Sequence, residues 1–394
     1  MYKLILALGT TQTLGWASGY YIPAIIAEPA ARDLAISPNI FFVAFSISLL
    51  ISALLGPHVG HTIDMIGGRG VLVVSNLVFA AGLTLLGQAH STAALLAAWA
   101  IIGVAMGLGL YDAAFAALGR IYGAEARTPI TGITLMAGFA STIGWPLTAW
   151  GVAEVGWRDT CLMWAAAHIL IGLPLNLVMV PKVARKPPIA TASLVAADAA
   201  SAPAGVVMDR AMWLLAFAFA SAWVVTAAMA THMPRLLQSA GAGYAEAIFA
   251  ASLLGPAQVA ARFAELSLGR YLHPLASARL AAFGHPLGAA LLLLLGAKLA
   301  IPFSLLHGAG NGVLTIARGT VPLAVFGPEG FGYRIGLLGA PSRIAQAFAP
   351  ALFGLLIDWI GLATLLVTSA LSLAALAALM LVPQHITPQP PPAR

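Results

Sequence analysis

The chain has 394 residues, of which 60% are apolar and 8% charged, and its 19 basic side chains outnumber 13 acidic ones. Soluble domains carry about a quarter charged residues, so this composition excludes an ordinary soluble enzyme, a disordered chain and a nucleic-acid-binding protein. The single cysteine, Cys161, makes no intrachain disulfide.

Long apolar runs follow one another along the whole chain, and a membrane-spanning helix needs roughly 20 mostly apolar residues. We therefore predict an all-α membrane protein with twelve transmembrane helices in two six-helix bundles. The predicted spans cover residues 4–27, 38–59, 70–88, 93–118, 129–152, 157–180, 211–236, 245–268, 279–296, 301–326, 335–357 and 361–382.

The longest polar stretch separates predicted span six from span seven. Its Lys, Arg, Pro, Ala and Ser content is typical of a linker. We predict an N-terminal bundle at residues 1–181, a cytoplasmic linker at 182–209 and a C-terminal bundle at 210–383. Residues 384–394, with four prolines, are predicted to form a disordered tail. Six spans on each side of a linker suggest an internal duplication.

The distribution of Lys and Arg predicts the orientation in the membrane. With the N-terminus inside, twelve of them fall in cytoplasmic segments, four fall outside and three lie within spans. Cytoplasmic loops are the ones that carry excess positive charge. Both termini and the linker are therefore expected in the cytoplasm, and we expect a monomeric, multi-pass protein of a bacterial inner membrane.

Residues 60–69, between predicted spans two and three, read G-H-T-I-D-M-I-G-G-R. This pattern resembles the cytoplasmic signature of the major facilitator superfamily, which usually has an arginine where this chain has Met65. The resemblance implies two bundles that rock about a central cavity, with Gly60, Asp64 and Arg69 acting in gating. The sequence has no G-x-x-x-x-G-K-[ST] nucleotide motif. We therefore expect gradient-driven transport with no catalytic residues and no cofactor.

Three further runs, at residues 107–111, 156–158 and 252–262, resemble the monocarboxylate and oxalate/formate transporters of that superfamily. By this resemblance Arg262 would bind a substrate carboxylate. Gln258 stands where those transporters have the aspartate of a proton-coupled Asp–Arg pair. The resemblance implies a carboxylate as the substrate class.

Charged groups inside a span are costly and usually face a cavity or a partner. Gln258, Arg262 and Glu265 share one face of span eight. Arg262 and Glu265 are also close enough along the helix to form an ion pair, so a purely structural pair is the alternative to anion binding. Glu265 and Asp112, the two carboxylates inside the predicted spans, are the candidates for proton coupling. Asp112 can instead neutralise an arginine of the other bundle.

Spans ten and eleven carry further polar groups. His307, Asn311, Thr315 and Arg318 follow one another at helical spacing, which predicts a stripe that lines the cavity. His307 is either a substrate contact and proton relay or a packing residue, and Arg318 is either a gating residue or part of an ion pair between helices. Arg343 in span eleven is placed by its depth as the second half of a carboxylate clamp.

Aromatic and polar residues of three more spans complete the predicted substrate site. Aromatic walls suit a small organic molecule, although helix packing explains each of them equally well. The residues are Gln12, Trp16 and Tyr20 in span one, Tyr111 in span four, and Trp223 and Thr226 in span seven.

The sequence therefore predicts a secondary active transporter of a small organic anion, a mono- or dicarboxylate, that works by alternating access. A proton or a counter-anion would be the coupled partner. One alternative is efflux of drugs or metabolites. Another is copper uptake, because Met229 and Met233 place two thioethers on one face of span seven.

Overall fold

The computed structural model describes residues 1–122, 127–183, 208–268, 272–326 and 331–384, and all the regular structure in these ranges is helical. The α-helices are α1 (Tyr2–Gly15), α2 (Pro23–Asp33), α3 (Pro38–Ile66), α4 (Gly68–Gly87), α5 (Thr92–Gly109), α6 (Tyr111–Tyr122), α7 (Arg127–Ala137), α8 (Ala140–Ala167), α9 (Leu173–Met179), α10 (Arg210–Ser239), α11 (Tyr244–Ser252), α12 (Leu254–Leu268), α13 (Pro274–Leu295), α14 (Ala300–Phe326), α15 (Phe331–Ile360) and α16 (Thr364–Leu381). Two π-helical turns, Trp16–Tyr21 and His168–Gly172, join α1 to α2 and α8 to α9.

Eight helical segments of the described chain are long and apolar enough to cross a membrane. Three of them, Thr128–Met179, Pro274–Phe326 and Leu337–Leu381, contain 52, 53 and 45 residues. The protein is therefore a multi-pass integral membrane protein. Most of the predicted linker, residues 184–207, and nearly all of the predicted tail, residues 385–394, lie outside the described residues.

Left-handed glycines break the three longest segments. Gly156, Gly296 and Gly361 have φ angles of +82°, +64° and +54°, a conformation that glycine adopts without the steric cost of a Cβ. Gly241, between α10 and α11, has φ of +98°. We call the end of the molecule at which these turns lie the distal end, and the opposite end, where the chain begins, the terminal end.

Arg158 ties the turns of the N-terminal half together at the distal end. Its Nε donates to Oδ2 of Asp33 at 2.9 Å, and its Nη1 donates to the carbonyl oxygens of Gly87 and Ala89 at 3.0 and 2.7 Å. Trp157 donates its indole N–H to the same Asp33 oxygen at 3.2 Å. The Gly-Trp-Arg run at the kink inside α8 therefore connects this helix to the ends of α2 and α4.

Beneath this tie the N-terminal half has an aromatic core. The ring of Trp99 on α5 lies edge-on to Phe41 and Phe45 of α3, with ring centroids 5.5 and 5.1 Å apart. Cys161 of α8 belongs to the same apolar cluster and is fully buried. Helices α3, α4, α5 and α8 thus pack as one unit.

The C-terminal half packs α10 along α15 and α16, and α13 along α14. Met229 and Met233 of α10 are fully buried in its apolar cluster, together with Phe303 and Phe353. The sulfur of Met233 accepts a hydrogen bond from the hydroxyl of Ser304 at 3.8 Å. The two thioethers considered for copper binding are therefore part of a hydrophobic core.

The two halves meet on the distal side through α3 and α15. Nδ2 of Asn39 donates to the carboxylate of Asp358 at 2.5 Å, and the backbone N–H of Ala351 donates to Oγ of Ser46 at 3.2 Å. The Asp358 carboxylate also pairs with Arg235 of α10 at 2.5 Å. Polar contacts thus join the halves at the distal end.

The signature loop forms the tight reversal between α3 and α4. Gly67 has φ of +86°, and a Cβ on Gly68 would lie 2.3 Å from Cβ of Ala117, so both glycines are required by the geometry. By contrast, a Cβ on Gly60 would meet nothing within 4 Å, so no close helix contact requires a glycine there. Arg69 donates to the carbonyl of Leu177 at the end of α9.

Asp64, the acidic residue of the predicted gating set, lies in the last turn of α3. Its side chain is outside the described part of the structure. The expectation that Asp64 acts in gating therefore stays a prediction.

Candidate functional site

Arg262 of α12 is the most buried of the predicted cationic site residues, with 8% of the residue exposed. Its Nη1 donates across the boundary between the halves to the carbonyl of Thr134 in the last turn of α7, at 3.0 Å. Its Nη2 lies 3.4 Å from Oε1 of Gln258, and its buried Nε has no hydrogen-bond partner. Both acceptors are neutral, so within the described chain this guanidinium has no carboxylate in ion-pair contact.

Glu265, whose ion pair with Arg262 was the alternative to anion binding, is half-buried one turn further along α12. The expected pair is not formed, because the guanidinium turns instead toward Thr134 and Gln258. Helical spacing places Arg262 and Glu265 on one face, but it does not fix the rotamers that decide which groups meet.

An aromatic wall of the N-terminal half faces Arg262. The hydroxyl of Tyr111 interacts with its guanidinium. The ring of Trp16 lies between Tyr111 and Tyr20, with ring centroids 4.9 and 5.0 Å away. The indole N–H of Trp16 is buried and has no hydrogen-bond partner. The wall thus supplies three aromatic rings and one unused hydrogen-bond donor.

Gln12 of α1, one turn before Trp16, hydrogen-bonds to the chain where α5 ends and α6 begins. Its Nε2 donates to the carbonyl of Gly109 at 2.6 Å, and its buried Oε1 has no partner. The break at Leu110 lets α6 begin at Tyr111. This contact therefore positions the start of α6, which carries Tyr111 and Asp112.

Asp112 pairs with Arg343 of α15 across the two halves, with 3.1 Å between Oδ2 and Nη1. The two side chains are 62% and 40% exposed, so the space between the halves reaches them. Asp112 therefore adopts the role of counter-ion to an arginine of the other bundle. Because Tyr111 contacts Arg262 and Asp112 contacts Arg343, two consecutive residues of α6 connect the two arginines.

Two more groups extend the site along α14 and α15. The Arg318 guanidinium lies over the ring of Trp223, 5.5 Å from its centroid. A Cβ on Gly339 would lie 2.6 Å from a nitrogen of Arg318 and 3.8 Å from a nitrogen of Arg343, so the two guanidiniums flank this glycine. Gln346 donates to the hydroxyl of Tyr20 at 2.8 Å. The site therefore spans both halves.

The remaining predicted residues lie deeper in the C-terminal half. Oγ1 of Thr226 donates to Oδ1 of Asn311 at 2.9 Å, which joins α10 to α14. His307 is buried and contacts His285 of α13, with 3.0 Å between their Nδ1 atoms. Thr315, one turn after Asn311, is exposed. The stripe predicted on α14 thus runs from a buried histidine to an accessible threonine.

Two site residues, Thr134 and His285, were missed in the sequence analysis. Thr134 acts through its backbone carbonyl, for which a sequence holds no signal. Gln346 follows Arg343 by three residues, and this spacing predicts the shared face of α15. His285 is a histidine inside an apolar run and carried the same signal as His307.

Residues 7–303 match the family model of the Major Facilitator Superfamily. The chain belongs to the major facilitator superfamily. The match includes the signature loop, the aromatic wall and Arg262, and it supports a membrane transporter. A search of curated proteins finds no significant match. Membership in the major facilitator superfamily leaves the substrate open.

Proposed function

We propose that this protein is a secondary transporter of a small organic anion, a mono- or dicarboxylate, held between the two halves. The observation that carries the proposal is the buried guanidinium of Arg262, whose two hydrogen bonds go to neutral oxygens. Burying a cation without a counter-charge is costly. A substrate carboxylate would supply that charge and would accept from the free Nε.

The neighbouring groups favour an organic carboxylate over a simple inorganic ion. A guanidinium can donate two parallel hydrogen bonds to a carboxylate. The rings of Trp16, Tyr20 and Tyr111 offer an apolar surface for the carbon skeleton, and the free indole N–H of Trp16 offers a further donor. Arg343, which already holds one carboxylate, would bind the second group of a dicarboxylate.

We infer twelve spans in two bundles from the lengths of the helical segments. The segments of 52, 53 and 45 residues exceed twice the roughly 20 residues that one span needs. Each is broken at a left-handed glycine of the distal end. Counting each of these three segments as two spans turns the eight segments into eleven spans. The N-terminal run from Tyr2 to Asp33 is the twelfth.

Alternating access is supported by the difference between the two ends. Polar contacts join α3 and α15 at the distal end, whereas Asp112 and Arg343 are accessible between the halves. We infer that this conformation opens the site toward the terminal end, which the positive-inside rule assigns to the cytoplasm.

The first test is a thermal-shift screen of the purified protein against mono- and dicarboxylates. Ligand binding stabilises the folded state by mass action, so a specific hit identifies the substrate class. Arg262→Ala should weaken binding of that hit by about 10- to 100-fold, because a hydrogen bond to a charged group contributes about 1.5–3 kcal/mol. Arg262→Lys should restore little, since an ammonium does not reproduce the planar fork.

Arg32→Ala is the matched control. It removes the same charge from an exposed residue that pairs with Glu28 on α2, far from the site, and it should leave the affinity unchanged. Wild-type affinity in Arg262→Ala would refute the assignment of this arginine. A screen in which only neutral or cationic compounds stabilise the protein would favour the efflux alternative.

A further inference from the structure

A cavity lies inside the C-terminal half, between α10, α13, α14 and α16. Its volume is about 30 Å3, and one water needs about 10–15 Å3 by the same measure. Small side chains leave this space open, among them Ala222 of α10, Ala282 of α13 and Ala375 of α16. The cavity therefore has room for about two groups of the size of a water or a methylene.

The wall of this cavity is mostly apolar. Several of its polar groups bond to one another: Nδ1 of His285 lies 3.0 Å from Nδ1 of His307, and Oγ1 of Thr226 lies 2.9 Å from Oδ1 of Asn311. Side chains of Asp, Glu, Lys and Arg are not among the described residues that line it. Because a buried charge without a partner is costly, such a wall suits an apolar group rather than an ion.

A narrower cavity of about 10 Å3 forms the entrance to the larger one. Ala222 and Leu314 line both cavities, so the two adjoin. Trp223 and the exposed Thr315 line the narrower cavity alone. The guanidinium of Arg318 lies over the ring of Trp223. The entrance therefore opens beside a cation of the candidate site.

Helices α12 and α14 pack side by side next to this entrance. A Cβ on Gly308 would lie 2.8 Å from the carbonyl oxygen of Leu254, and a Cβ on Gly312 would lie 2.5 Å from the carbonyl oxygen of Gln258. Each pair is four residues further along both helices than the one before it. The two helices therefore run in the same direction, and their levels can be compared residue by residue.

This register places Arg262 at the level of the entrance. Arg262 comes one turn after Gln258 on α12, and Thr315 comes three residues after Gly312 on α14. One turn is about four residues, so Arg262 lies within one residue of the level of Thr315. A carboxylate bound by Arg262 would thus be held at the height where the cavity opens.

We propose that the cavity is a subsite for a short hydrocarbon tail, so that the transported anion is a carboxylate whose head binds Arg262 and whose tail enters the C-terminal half. This inference rests on the proposed function and adds the part of the substrate that the cavity selects. The entrance and the cavity together hold about three carbon atoms, since a methylene needs about as much room as a water.

The packing around the cavity limits the length of this tail. Phe219 and Leu379 lie on its wall, and each of these residues is 1% exposed. Both belong to an apolar cluster that holds α10, α13 and α16 together. A longer tail would have to push these side chains apart, and overpacking a core is unfavourable.

The test is a titration of the purified full-length protein with the straight-chain carboxylates from acetate to octanoate. Burying one methylene improves affinity by about fourfold. Wild-type affinity should therefore rise about fourfold for each carbon that enters the cavity and stop rising after about three such steps. A series without this rise, or a rise that continues through octanoate, would overturn the proposal.

Ala222→Leu separates the tail from the head, because it adds an isopropyl group where the two cavities adjoin. The variant should lose the rise with chain length and keep the wild-type affinity for acetate, which also shows that it is folded. Ala220→Leu is the matched control on the same helix, since Ala220 is not among the described residues that line either cavity. It should reproduce the wild-type series.

A rise that survives in Ala222→Leu would show that the tail lies elsewhere and would overturn the proposal. Binding of dicarboxylates alone, or binding that does not depend on tail length, would refute the subsite and keep the proposed transport of an organic anion. If none of the carboxylates binds, the subsite and the proposed function are both refuted.

Discussion

At the scale of single residues, three arginines of equal charge have three different environments. Arg343 has a carboxylate partner, Arg318 lies over the ring of Trp223, and Arg262 has neutral acceptors and an unused Nε. A guanidinium keeps its charge in all of these settings. The arginine with the least compensation is therefore the one with most to gain from a bound anion.

The ion pair of Asp112 with Arg343 predicts that removing the Asp112 charge changes the affinity for a dicarboxylate. A pair with a purely structural role would not predict this change. If Arg343 also binds substrate, Asp112 competes with the anion for it, and Asp112→Asn should tighten binding of a dicarboxylate. An exposed ion pair contributes at most about 1 kcal/mol, so the gain should not exceed about fivefold. Titration of the purified variant with the dicarboxylate of the screen measures this.

Monocarboxylate affinity serves as the internal control for Asp112→Asn, since a single carboxylate would stay on Arg262. Weaker dicarboxylate binding in this variant would contradict the competition and would mean that Asp112 organises the site instead.

Residue types and spacing predicted which polar groups lie in the membrane, but not which of them meet. That an acid of span four could neutralise an arginine of the other half was one of two interpretations of Asp112, and the structure forms this pair. An ion pair of Arg262 with Glu265 was the alternative to anion binding, and the acceptors of Arg262 are instead the Thr134 carbonyl and Gln258. Contacts between halves depend on packing that local spacing does not contain.

At the scale of helices, the predicted spans fall close to the observed helices, but several of the spans are broken. Span eight divides into α11 and α12 near Pro256. A proline has no N–H to bond the carbonyl four residues earlier, here that of Ser252. Thr142 of α8 donates to this carbonyl at 2.9 Å. The proline in the sequence thus frees the Ser252 carbonyl, and this carbonyl forms a contact between the halves.

Helix α12 approaches α8 and the residues before it closely at Gly255. A Cβ there would lie 2.2 Å from the hydroxyl oxygen of Thr142 and 2.7 Å from the carbonyl of Gly138. Gly255→Ala should therefore force the helices apart and lower stability by about 1–3 kcal/mol, the usual cost of overpacking. The midpoint of thermal unfolding in detergent reports the change.

Gly319→Ala provides the comparison on α14, since a Cβ at this helical glycine would meet nothing within 4 Å. Alanine in a helix interior is favoured over glycine by about 0.5–1 kcal/mol, so this variant should be unchanged or slightly more stable. Equal destabilisation of both variants would show that the crossing at Gly255 is not tight.

At the scale of the whole molecule, polar contacts between α3 and α15 join the two halves at the distal end, whereas the Asp112–Arg343 pair between the halves is accessible. Alternating access then requires the contacts between α3 and α15 to open. The six-plus-six division predicted from the linker is what allows such a motion, but which end is closed could not be predicted from sequence, because both states use the same residues.

A disulfide across α3 and α15 tests this motion. Oγ of Ser46 lies 3.2 Å from the backbone nitrogen of Ala351, so Ser46→Cys with Ala351→Cys places two small side chains next to each other. The oxidised double variant should still bind the anion of the screen while exchange across proteoliposomes falls to background. Reduction should restore exchange, and each single variant should exchange normally.

Exchange that persists in the oxidised protein would show that the distal end need not open. Loss of anion binding on oxidation would show instead that the site is reached from the distal side.

Because Cys161 is the single cysteine and is buried, the folded native chain offers no thiol to a labelling reagent. Its sulfur lies in the apolar cluster of the N-terminal half, one turn from the Arg158 tie, where no reagent can reach it while the half stays packed. Cysteines introduced at the surface or between the halves are therefore the ones that label in the folded protein. The rate at which Cys161 itself is modified therefore measures how often the N-terminal half opens, because the thiol reacts only while that core is unpacked.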